Sequence, residues 1–327
     1  MATTRPTTHI SSPNEPYPSA TDLAAATTTH RQGAFLISSR KLPISKAGPI
    51  EALERDVGIP VPEMIFGDNL VRVEHVPSGW AVKFAARDAL DAVDKTDRHM
   101  LQVAYASAWS ASREQTSAGI REVVRPFDWS YSTTYRGTVI VPPRPTPPPP
   151  PTAPVPTSTT TDSGDDEQKK KKDEDENEDT DNKNKTWGEF RPTARPIPIE
   201  LLKRRDPILF FDEVMLYESE LDDNGISVLS AKVRVHERRM LLLCRLFMRL
   251  DNVVVRVRDT RVYVDFAAEE VTREYTVKEA AFADVRQKLL MTGLRPDAIT
   301  VALRDANQIV ELLPTLEHTL ESVSLKS

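Results

Sequence analysis

Six carboxylates crowd into residues 212–223: Asp212, Glu213, Glu218, Glu220, Asp222 and Asp223. Carboxylates that converge in a cleft can hold a divalent cation or move protons, so a metal-dependent hydrolase would keep its chemistry here. Strand-like alternation instead splits these residues over two faces, and DDNG reads as a turn. The six histidines, at 9, 30, 75, 99, 236 and 318, are scattered without metal-ligand spacing. No GxGxxG, P-loop, HExxH or GxSxG pattern occurs, so the usual nucleotide, zinc-hydrolase and serine-hydrolase signatures are absent. The expectation is a protein without catalytic residues, metal or cofactor. The alternative is a hydrolase built on the 212–223 cluster.

A second group of side chains offers recognition rather than catalysis. MLLLCRLFMRL, VVVRVR and RVYVDF alternate apolar and polar residues. With two-residue turns at Asp251-Asn252 and Asp259-Thr260, Leu250 faces Val253, Met248 faces Val255 and Val257 faces Val262. One face of this meander is then apolar. The other presents Arg245, Phe247, Arg256, Arg258, Arg261 and Tyr263. Such a face is either a solvated coat or a groove for an acidic peptide or a carboxylate. A helix over 240–250 also fits the arginine spacing, but the strand agrees in register with the hairpin that follows.

Composition bounds the remaining classes. Of the net charge of −6, residues 162–189 hold all: 12 acids against 6 lysines, leaving 37 acids and 37 bases elsewhere. A balanced folded part disfavours nucleic acid as partner, because phosphate binding shows as basic excess. The single cysteine, Cys244, lies in an apolar run and suits a reducing compartment. No apolar run reaches membrane-spanning length, and the N-terminus lacks a signal-peptide core. We expect a soluble cytoplasmic protein with a nuclear share and no membrane partner.

The elements that must position these groups follow from period and punctuation. Residues 1–32, rich in Thr, Ser, Pro and Ala, read as a disordered tail. Strands are expected in GAFLISS, LVRVEH (70–75), 80–84 and 101–105. Helices are expected at 50–57, from Arg87-Asp88, and as a turn at 107–114. FDWSY (127–131) reads as a strand near a turn. Residues 141–186, with ten prolines in 142–156 and then KKKK and DEDENED, read as a disordered insertion. The proline run has the composition of an SH3 or WW ligand, the lysines that of a localisation signal. After the central stretch, helices are expected at 278–290 and 302–313, and a flexible tail at 321–327. The fold class is α+β: one β-rich domain of antiparallel sheets with flanking helices over 33–320, interrupted by the insertion.

Several long motifs, in order, resemble the TIPRL family of TOR-signalling regulators, known in fungi as Tip-forty-one. They are PEMIFGDN, GWAVKFAARDAL, REVVRPFDWSYSTTYRGT, DPILFFDEVMLYESELDDNGIS and RVRDTRVY followed by REYT. The match covers about residues 33–139 and 191–280. The resemblance implies a non-catalytic protein that binds the catalytic subunit of protein phosphatase 2A and related phosphatases, with the phosphatase C-terminal tail in a cleft. It also implies action with the Tap-forty-two/alpha-four regulator in fungi. It assigns partner contacts to Asp88, Ile197, Val257, Asp259 and Arg261, beside Arg245, Arg256 and Tyr263 of the arginine-aromatic face.

Overall fold

Period-two alternation builds the smaller of two antiparallel sheets. The computed structural model describes residues 18–95, 127–143, 187–222 and 224–326. In it, β1 (Thr27–Gln32), β2 (Phe35–Arg40), β4 (Leu70–His75), β5 (Trp80–Ala85) and β6 (Thr138–Ile140) lie side by side in that order. Phe35, Ile37, Val71, Val73, Val82 and Phe84 are fully buried on its inner face. The part of the expected N-terminal tail that is described is ordered. Helix α1 (Ala20–Ala25) is opened by a capping box between Ser19 and Asp22, and β1 pairs with β2 along its whole length. The edge of β2 supplies backbone partners that the composition of this segment does not reveal. Helix α2 (Ala47–Val57) ends at Gly58 with φ 72°, a left-handed position that suits glycine.

The larger sheet runs in the order β3 (Met64–Ile65), β8 (Phe210–Ser219), β9 (Gly225–Val235), β10 (Arg239–Leu250), β11 (Val254–Asp265), β12 (Glu270–Ala281), β13 (Thr315–Ser324) and β7 (Arg191–Pro192). Its central turn departs from the expected one. Residues 251–253 form it, with Asn252 left-handed at φ 62° and Val253 N–H donating to the Leu250 carbonyl at 3.0 Å. Leu250 therefore pairs with Val254, Met248 with Arg256 and Leu246 with Arg258. One added turn residue moves the side chains of 254–258 to the face opposite the expected one. The second expected turn does not exist. Asp259 and Thr260 sit in the middle of β11, paired with β10 on one side and β12 on the other. The chain turns instead at 266–269, where Asp265 Oδ1 accepts the Ala267 and Ala268 N–H groups at 3.0 Å.

Further on, β12 continues to Ala281, so α5 (Phe282–Met291) begins later than expected. The single helix expected over 302–313 is two short ones, α6 (Pro296–Ala302) and α7 (Ala306–Ile309). Residues expected as a flexible tail pair with β12 as far as Ser324, and Leu325 is buried. FDWSY is an irregular turn: Asp128 Oδ1 accepts the Ser130 N–H and hydroxyl, and Tyr131 has φ 52°. The expected strand at 101–105, the helical turn at 107–114, residues 1–17 and most of the insertion lie outside the described residues. Both described ends of the insertion meet at the edge of the small sheet. Trp80 Nε1–H donates to the Gly188 carbonyl at 2.8 Å, and a Cβ at Gly188 would come within 2.7 Å of Val141.

Two cores result. Between the sheets, the small sheet packs on Met240, Leu242, Cys244, Leu246, Val262 and Val264 of the large one. On the outer face, α5–α7 cover Phe247, Val255 and Val257 with Val285, Leu289, Ile299, Leu303 and Ile309. Among the described residues no helix is long and apolar enough to cross a membrane.

Candidate functional site

Rows of side chains cross the outer face of the large sheet, because paired residues point the same way. One row runs Glu218, Val228, Phe247, Val257; the next runs Met215, Ser230, Arg245, Asp259, Thr276, His318; a third runs Glu213, Lys232, Leu243, Arg261, Glu274. Helices α5–α7 cover the Val257 end of the first row and pack on much of Phe247. The part of these rows on β8, β9 and β10 is the floor of an open cleft of about 690 Å³, walled by Arg304, Ala306 and Asn307.

Asp259 is the hub of this face. It is 1% exposed and accepts both prongs of Arg245, at 2.7 Å to Nε and 2.8 Å to a terminal nitrogen. It also accepts from Arg261 at 2.9 Å. Arg261 reaches on to Glu274 at 3.1 Å, and Glu274 holds His318 Nε2 at 3.0 Å. Arg245 donates its remaining terminal nitrogen to Asn307 Oδ1 at 2.8 Å, which ties α7 to the sheet. A buried carboxylate gripped by two guanidiniums fixes their planes, and charge-assisted, bidentate pairs of this kind are directional. The residue that looked like a turn aspartate thus orients the arginines.

The cleft is polar in a graded way. Lys232 and Glu213 neutralise each other at 2.9 Å, and Arg249 is held by Asp251 and the Leu303 carbonyl. Among the described residues, Arg304 on the helical wall has no side-chain partner, nor do Glu218 and Glu220 on the β8 side. Between them lies an apolar strip of Met215, Val228, Leu243 and Phe247. The arrangement suits an extended peptide: apolar contact along the floor, cation at one end, anions at the other.

The remaining predicted positions scatter. Tyr263 lies on the same face but is 5% exposed, and burial raises its hydroxyl pKa. Ile197 is 5% exposed, just ahead of α4 (Ile199–Leu202), whose Leu201 carbonyl accepts from Arg239 at 2.5 Å. Val257 is a core residue beneath the helices. Arg256 belongs to the opposite face, where it bonds Glu279 at 2.5 Å and Ser132 at 2.9 Å; the added turn residue put it there. Asp88 belongs to the small-sheet layer. It lies in the first turn of α3 (Ala86–Asp91), takes Lys83 Nζ at 2.9 Å and accepts the Thr138 hydroxyl at 2.5 Å. The described carboxylates of 212–222 form no metal-holding group. Asp212 turns inward to Lys41 and Ser39, and among the described residues no three His, Cys, Asp or Glu side chains are grouped to hold a metal. Sequence reasoning missed Arg304 and Asn307, which α6 and α7 bring back from some fifty residues downstream of Arg249. Arg245 and Phe247, on the arginine-aromatic face, hinted at the floor.

The sequence profile described as the TIP41-like family matches residues 64–286. A TIP41-like protein of Rattus norvegicus is 32% identical over 292 residues, 89% of this chain and 88% of its own length. The type 2A phosphatase activator TIP41 of Saccharomyces cerevisiae is 32% identical over 306 residues, 88% of this chain and 72% of that protein. The corresponding activator of Schizosaccharomyces pombe is 28% identical over 277 residues, 85% and 90% of the two chains.

Proposed function

Because the chain belongs to the TIP41-like family, we propose that it is a non-catalytic regulator of type 2A protein phosphatases that binds their catalytic subunit. The relatives named as type 2A phosphatase activators support the phosphatase partner. The observation that carries the binding mode is the cleft on the outer face of β8–β10, with its unpartnered Arg304 and apolar floor. In this reading the C-terminal tail of the catalytic subunit lies along Phe247 and Leu243. Its free carboxylate points to Arg304, and the preceding backbone runs toward Glu218 and Glu220. Arg245, held flat by Asp259, donates to the tail from the floor. A charge-assisted contact of this kind contributes about 1.5–3 kcal/mol.

The same family membership supports a role in TOR signalling, cooperation with the Tap-forty-two/alpha-four regulator and a cytoplasmic location with a nuclear share. These are read from resemblance alone. The test is biolayer interferometry of the full chain against a purified type 2A catalytic subunit, intact and lacking its tail. Binding to the intact subunit, weakened at least tenfold without the tail, is expected from a contact of about that size. Equal binding to both would remove the cleft from the mechanism, and no binding to either would remove the partner.

A further inference from the structure

The inner face of the large sheet holds a cation that makes no ion pair among the described residues. Arg258 lies between Leu246 on β10 and Val277 on β12, with Thr260 and Tyr275 in the row on one side and Arg256 and Glu279 in the row on the other. Residues 131–136 cross above it. Ser132 accepts from Arg256 at 2.9 Å, the Tyr135 carbonyl accepts the Thr260 hydroxyl at 3.4 Å, and the Arg136 guanidinium covers the Tyr275 ring at 4.1 Å. Every neighbouring cation has a counterion: Arg256 has Glu279 at 2.5 Å, and Arg136 has Glu317 at 2.7 Å. Arg258 has neither an ion pair nor a hydrogen bond among the described residues, and its Nε is shut off from solvent. Beside it the Tyr275 hydroxyl, on a residue 1% exposed, is equally without a partner.

A guanidinium Nε and a phenol hydroxyl, each shut off from solvent without a hydrogen bond, are costly, and their coincidence marks a place suited to an acceptor. We propose that Arg258 and Tyr275 form a binding site for a single carboxylate group. The guanidinium presents parallel N–H donors to one carboxylate edge, and the phenol donates to a remaining lone pair. The charge of the ligand follows from the surroundings. Asp128 and Glu279 both act on Arg258, and Glu317 acts on Tyr275. With Asp128 and Glu279 already near the guanidinium, a ligand of one negative charge is favoured over a phosphate dianion, which would place two more charges among these carboxylates. Burial works against the charge of Arg258, and a bound carboxylate opposes that. The site lies on the face opposite the outer cleft, so it goes beyond the phosphatase reading and stands or falls without it.

Acetate is the probe. The full chain is melted in chloride and in increasing acetate at fixed ionic strength, and the arginine Nε–Hε resonances are followed by NMR. Saturating acetate should raise Tm by about 2–4 °C and shift, saturably, one resonance that is missing from Arg258→Met. In chloride, Arg258→Met should melt no lower than the parent, since it removes an unpaired buried charge. Tyr275→Phe, which only deletes the hydroxyl, should weaken the acetate response about three- to tenfold, and it carries the test by itself if Arg258→Met fails to fold. N-acetylglycine and a glutamate blocked at both ends separate a chain terminus from an acidic side chain as the natural source. Absence of a saturable Arg258 shift would overturn the proposal and leave ordered water as the partner. An unchanged acetate response in either variant, or a stronger response to phosphate than to acetate, would overturn it equally.

Discussion

Asp259→Asn tests whether the outer-face network is structural. The substitution keeps shape and removes the charge that holds Arg245 and Arg261. Three short donor contacts of 2.7, 2.8 and 2.9 Å end on that carboxylate. Each is charge-assisted, worth about 1.5–3 kcal/mol taken singly. They share one acceptor and do not add. The amide oxygen of asparagine still accepts from one arginine, and Arg245 and Arg261 keep Asn307 and Glu274. Removing one member of a buried pair costs about 3–5 kcal/mol. The retained contacts bring the expectation to about 2–4 kcal/mol, or a Tm lower by about 4–16 °C for a domain of this size. Thermal and urea denaturation followed by circular dichroism measure it. The double variant Arg245→Met with Asp259→Leu removes the desolvated pair together, so it should be less destabilised than the two single losses summed. A loss below about 1 kcal/mol for Asp259→Asn, or strict additivity in the double variant, would refute the hub. The same variant should also weaken phosphatase binding through a misplaced Arg245, an effect secondary to the loss of stability.

Arg304→Glu reverses an exposed charge that has no partner among the described residues. It should leave stability within about 0.5 kcal/mol while weakening binding to the phosphatase catalytic subunit at least tenfold, as read by interferometry. Deleting 147–183 should change Tm by less than about 3 °C in differential scanning fluorimetry, because Val141 and Gly188 already meet at the edge of the small sheet and loop entropy grows only logarithmically. His75 is 2% exposed. Burial lowers its pKa below the ordinary 6.5, and Glu269 at 3.3 Å opposes this without cancelling it. A histidine held neutral in the fold contributes stability that is present above 6.5 and lost as pH falls below it, since the unfolded chain takes the proton more readily. Stability should therefore drop between pH 7.5 and pH 5.5, and His75→Leu should flatten that part of the curve.

Much of the sheet was legible from the chain because its strands alternate without competing patterns. LVRVEH, the run at 80–84, FFDEVMLYES and MLLLCRLFMRL are strands where period two places them, and Gly58 stops α2 because a left-handed residue is needed there. The α+β class and the identity of the family were readable in the same way, from long motifs in order. Local chemistry could not tell a turn from a charge buried in a strand. Asp259-Thr260 has turn composition, yet it lies in mid-strand because Arg245 of the neighbouring strand and Arg261 of its own supply the countercharge. Nor could it count the residues of the turn at 251–253. One more residue there sent Arg256 and Arg258 to the inner face, and the continuous strand through Asp259-Thr260 left Arg245, Asp259 and Arg261 together on the outer one. The segment 278–281 carries polar and apolar residues that fit a helix, but the exposed edge of β11 takes it as strand. The cleft itself depends on α6 and α7 folding back over Phe247 and Val257. That is a packing decision between surfaces far apart in the chain, made by burying apolar area that no local window contains.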